Sequence, residues 1–142
     1  MFYALAIAGW ALTAFVAMTF FKAGKFKLTA PIETLVGAGM TWAKQIPASL
    51  VRLIALLEVV GAVGLVVAQA AFEVGVLANS EGFLFAQLWA VAAAIGLALT
   101  MGVALVMHIA RKEIKYTWKI NVAVTLAASA LAVVLANIPT SL

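Results

Sequence analysis

The chain has 142 residues, 67% of them hydrophobic and 10% charged, with a formal net charge of +4. Soluble domains carry about 25% charged and about 45–50% apolar residues, so the composition excludes a water-soluble fold and points to a small polytopic membrane protein. The absence of cysteine and the single histidine, His108, exclude a disulfide framework, a thiolate nucleophile, an iron–sulfur centre and a haem held between two histidines of this chain; no metal site is expected.

The first apolar run covers about residues 2–21. It lacks the basic n-region and polar cleavage boundary of a secretory signal and reads as a retained span. The segment KLTAPIETLVGAGMTWAKQIP, residues 27–47, is too short and too polar to cross a bilayer. Thr29 ahead of Pro31 marks a helix start, and Ile32, Leu35, Val36 and Met40 recur at near-helical spacing, so a short interfacial or re-entrant helix closed by Pro47 is expected. Three further apolar runs follow, at about 48–72, 83–108 and 118–138. At about 1.5 Å per residue each can cross a hydrocarbon layer of roughly 30 Å. In lipid the backbone must satisfy its own hydrogen bonds, so all four are helical. The expected fold is all-α: a single integral membrane domain over residues 1–142, a four-helix bundle with a short interfacial or re-entrant helix between spans one and two.

The basic residues set an orientation. Lys22, Lys25, Lys27, Lys44 and Arg52 flank the first loop, Arg111, Lys112, Lys115 and Lys119 the last, and the loop 73–82 has none. By the positive-inside rule the basic side is cytoplasmic and both termini lie outside, as for a multi-pass protein of a bacterial inner membrane. These clusters sit beside apolar spans, where lipid headgroups are met, and no nucleic-acid partner is expected. Tyr116 and Trp118 would anchor the inner interface, and Tyr3, Phe83 and Phe85 the outer one.

The stretch RLIALLEVVGAVGLVVAQAAF, residues 52–72, holds a carboxylate, Glu58, about 15 Å beyond the start of its span. That places it near the midplane, where an ionisable group costs roughly 2.5–3.5 kcal/mol on insertion scales. Glu58 is therefore expected to face the bundle interior and to meet a donor or carry a proton. Ala55, Glu58, Ala62, Leu65 and Gln69 form one helical face, with Gly61 and Gly64 beside it permitting close helix approach. Either an interhelical clasp or a site for a proton, headgroup or ligand fits this pattern. Lys22, Lys25, Arg52, Glu58, His108, Arg111 and Asn121 all fall in the cytoplasmic half of the expected topology, which suggests a polar pocket opening inward. Alone, His108 is a residue of the interface. The outer half offers Gln69, Gln87 and Asn137. Met40, Met101 and Met107 are bulk, or the lining of an apolar cavity. No nucleophile elbow, P-loop, dinucleotide fingerprint or HExxH motif is present.

FFKAGKFKL, RLIALLEVVGAVGLVV, ALVMHIARKE and WKINVAVTLAASAL, in that order along nearly the whole chain, resemble the span signatures of the DoxX-like family of four-helix membrane proteins. The resemblance implies marked positions at Lys25 (Lys22 as the weaker match), Arg52, Glu58, Gly61, Gly64, His108 and Asn121. It also implies an association with terminal oxidase and other membrane oxidoreductase complexes, or assembly-chaperone roles. Three functions follow. The first is a non-catalytic accessory or assembly subunit of a larger inner-membrane complex, partnered by other membrane subunits or by its own copies. The second is a quinone-linked component in which Glu58 and His108 handle protons. The third is a small lipid- or anion-binding transporter, although the inverted repeats usual in transporters are not visible. Without catalytic motifs, enzymatic action by this chain alone is not expected; quinone or lipid is the expected non-covalent ligand.

Overall fold

A computed structural model describes residues 2–80, 83–111 and 114–140, with the side chains of 114–117 outside the description. Four helices are long and apolar enough to span a membrane: α1 (Phe2–Thr29), α3 (Ala48–Leu77), α4 (Phe83–Ala110) and α5 (Ile114–Asn137). Between the first two lie a short helix, α2 (Ile32–Gly37), and a 3-10 turn, Thr41–Lys44. No strand occurs among the described residues.

The helices outrun the apolar runs that announce them. α1 continues to Thr29 rather than ending near Phe21, because FKAGKFKLT contains nothing that stops a helix. Pro31 does stop it, by disfavouring helical geometry at the residue before it. Thr29 is thus the last residue of α1, its hydroxyl donating to the Lys25 carbonyl at 2.9 Å, and not the start of the next helix. α3 likewise runs on to Leu77, which brings Glu73 into the helix and out of the expected loop.

The expected interfacial helix is broken in two. α2 ends in a Schellman turn: the Gly39 N–H donates to the Val36 carbonyl at 3.0 Å and the Met40 N–H to Leu35 at 2.9 Å. Gly39 adopts the left-handed conformation that this turn demands (φ 92°). The same device ends α3 with a less common residue. Asn79 takes φ 47°, and the Ser80 N–H reaches the Gly75 carbonyl at 3.0 Å. Leu35, Ala43 and Val51 then pack with Ala30 into a small core of their own, holding the α2 segment against the first turns of α3.

The four spans form a ring in the order α1, α3, α4, α5, each packed on two neighbours. In lipid, helix association rests on close packing and interhelical hydrogen bonds, and small residues let the backbones approach. Ala6, Ala17, Ala62, Ala90, Ala94 and Ala128 are buried, with Val16, Phe20, Leu65, Phe72, Leu131 and Leu135 filling the space between them. Every member of the face Ala55, Glu58, Ala62, Leu65, Gln69 is buried. Gly61 and Gly64 line the α3–α4 contact, where added Cβ atoms would stand 3.0 Å from Leu97 and 3.7 Å from Trp89. Tyr3, Phe85 and Trp118 are exposed, whereas Phe83 is half-buried and packs on Phe72, with ring centroids 6.4 Å apart. Tyr116, Lys112 and Lys115 lie outside the described side chains. Met107 borders a groove between α4 and α5, while Met40 and Met101 pack against the two cores.

Candidate functional site

The partner of Glu58 is Lys27. The Lys27 ammonium donates to both carboxylate oxygens, at 2.5 and 2.6 Å, with the residues only 8% and 6% exposed. Local sequence on α1 explains why this lysine is the one. Thr13, Val16, Phe20, Gly24 and Lys27 recur at three- and four-residue steps and share the buried face. Lys22 and Lys25 fall off that stripe and are exposed. Gly24 sets the separation. A Cβ there would stand 2.8 Å from the Ala55 carbonyl oxygen, 2.8 Å from Val59 and 3.2 Å from Glu58 Cβ, so α1 and α3 touch through backbone one turn before the ion pair.

Arg52 turns away from the carboxylate. Its guanidinium donates to the backbone carbonyls of Lys27 (through Nη1) and Ala30 (through Nη2, at 2.7 Å). These carbonyls belong to the end of α1, where the helix leaves its last acceptors unpaired and attracts cations. Glu58, Lys27 and Arg52 therefore form one connected group that ties α3 to the C-terminus of α1.

The offset between the two helices sets the level of this group within the bundle. The carboxylate is level with the last turn of α1, because α3 begins well beyond the end of α1 and its first turns are flanked by the α2 segment. From Glu58 to Leu77 the helix measures about 28 Å, close to a full hydrocarbon thickness of roughly 30 Å. The pair thus lies toward the end of the bundle that carries the basic residues. His108 is half-buried in the last turn of α4, and Asn121 is buried on α5, whose Thr125 hydroxyl donates to the Asn121 carbonyl at 2.7 Å. Both lie toward the same end on the other two helices, and both are engaged in contacts.

A second polar group, at the opposite end, escaped the sequence reading. Glu73 accepts from Trp10 Nε1 at 2.8 Å and from Gln69 Nε2 at 3.0 Å, while the Gln69 carbonyl oxygen accepts from the Thr13 hydroxyl. The signal was present as the i, i+4 spacing of Gln69 and Glu73, but it was hidden by ending the span at Phe72. Gln69→Leu should leave Thr13 and Glu73 each short of a partner and lower stability by about 1–2 kcal/mol. A fall in the thermal midpoint in detergent, absent in the exposed control Val67→Leu, checks this.

The fold and site together define a small four-span helical membrane protein whose first two spans are locked by one buried ion pair and one hydrogen-bonded cluster around Glu73. The family model described as the DoxX-like family matches residues 11–135, and the chain belongs to that family. No curated protein and no solved structure matches it.

Proposed function

We propose that this chain is a non-catalytic accessory or assembly subunit of a larger bacterial inner-membrane complex of respiratory or oxidoreductase type, with its basic loops in the cytoplasm and both termini outside. The observation that supports it best is the bareness of α4. Of the 28 residues in this helix only Ala90, Ala94 and Leu97 are buried, against nine in α1 and ten in α3. Its outward face carries Ala92, Gly96 and Thr100 at four-residue spacing, all exposed, with no atom within 4 Å of a Cβ placed on Gly96. Such a small-residue stripe admits a second transmembrane helix at close range. The acidic group of the basic end, by contrast, is already closed by Lys27, which suits a structural latch.

Tagged at its natural level in cells that express its genetic neighbours, the chain should leave the membrane in mild detergent with another integral membrane protein. Gly96→Leu, which touches nothing within the bundle, should release that protein. Elution of the unaltered chain alone would sink this reading.

A further inference from the structure

The polar cluster remote from Lys27 is built around Glu73, a residue that the subunit role does not use. Its donors converge on the carboxylate. Trp10 Nε1 donates to Oε2 at 2.8 Å and Gln69 Nε2 to Oε1 at 3.0 Å, while the Thr13 hydroxyl holds the Gln69 carbonyl oxygen. Glu58 meets an ammonium; Glu73 meets neutral donors. Of the spans packed on α3, α1 carries Tyr3 and no charged residue before Lys22, and α4 has no titratable residue before His108 at its opposite end. The negative charge of Glu73 therefore has no counter-charge among the described residues.

Glu73 is also within reach of water. It is half-buried and stands one turn, about 6 Å, from the end of α3 at Leu77. A metal ion asks for several oxygen ligands, and among the described residues no three His, Asp or Glu stand together. The cation that one carboxylate can bind unaided is the proton.

We propose that Glu73 is a proton-binding site at the end of the bundle remote from the basic loops, and that its proton releases Trp10. The proton comes from water and bonds to Oε2, which becomes a donor and ceases to be the acceptor for the indole N–H. Oε1 keeps its bond from Gln69, because Gln69 is fully buried and pinned by Thr13. Trp10 is half-buried and so has a way out; its freed N–H turns to interfacial water, where tryptophan is favoured. The site needs no second protein and stands or falls apart from the subunit role.

The test follows tryptophan emission of the full chain in nanodiscs as the pH is lowered from neutral. The unaltered chain should shift in a single one-proton step. Trp10→Phe should lose that step, which assigns it to this indole and separates it from any change near Glu58. Glu73→Gln should lose it too and hold the low-pH emission at every pH, because a carboxamide, like the protonated acid, offers one accepting oxygen and one donor. An unaltered chain without a step, a step that survives in Trp10→Phe or Glu73→Gln, or a Glu73→Gln chain fixed at the neutral-pH emission would each overturn the proposal.

Discussion

Lys27→Met alone, and Glu58→Leu alone, are each expected to destabilise the bundle by about 3–5 kcal/mol, whereas the double variant K27M/E58L recovers most of the loss. Each single change strands a charge in a place that water barely reaches. The surviving ion keeps its desolvation cost and loses the 2.5–2.6 Å contacts that offset it. Removing both ions removes cost and attraction together. Unfolding of the four chains in one bicelle composition gives the interaction energy as a double-mutant cycle. Single variants within about 0.5 kcal/mol of the unaltered chain would mean that the pair contributes nothing. Additive losses in the double variant would mean that the two side chains act separately.

Gly24→Leu is expected to do comparable damage by a different route. The obstacle is the Ala55 carbonyl oxygen, 2.8 Å from the added Cβ, and backbone cannot swing aside as a side chain can. α1 must therefore move off α3, and the displacement carries Lys27 away from Glu58. Overpacking alone costs about 1–3 kcal/mol, and parting a buried pair adds to it. Gly24→Ala should show a smaller loss in the same direction. Because the effect passes through the ion pair, Gly24→Leu should cost less in the K27M/E58L background than in the unaltered chain. The unfolding measurement described above decides this, and equal costs in the two backgrounds would refute the route.

The four spans were legible because hydropathy is a bulk property of twenty residues, and a few misplaced side chains do not erase it. Their ends were not, because a helix does not stop where its apolar run does. The turns from Lys22 to Thr29 are polar on one side and still helical, and carrying α1 on to Pro31 would have put Lys27 in line with Val16, Phe20 and Gly24. The pairing of Glu58 was missed for that reason alone. How far α3 begins beyond α1 carried no such signal, and only the packing of Leu35, Ala43 and Val51 reveals that offset. Glu73 read as loop, so its hydrogen bond from Trp10, across 63 residues of sequence, carried no local signal. The α4–α5 groove was equally hidden, since its walls are ordinary span residues.

Between the two polar groups, α1, α3 and α5 meet through Val16, Ala17, Phe20, Ala62, Leu65, Val124 and Ala128, all buried. From Glu58 to Gln69 this layer is about 16 Å deep along α3. Hydrocarbon thus parts the two groups, so each must be satisfied by its own donors and neither can lend a partner to the other.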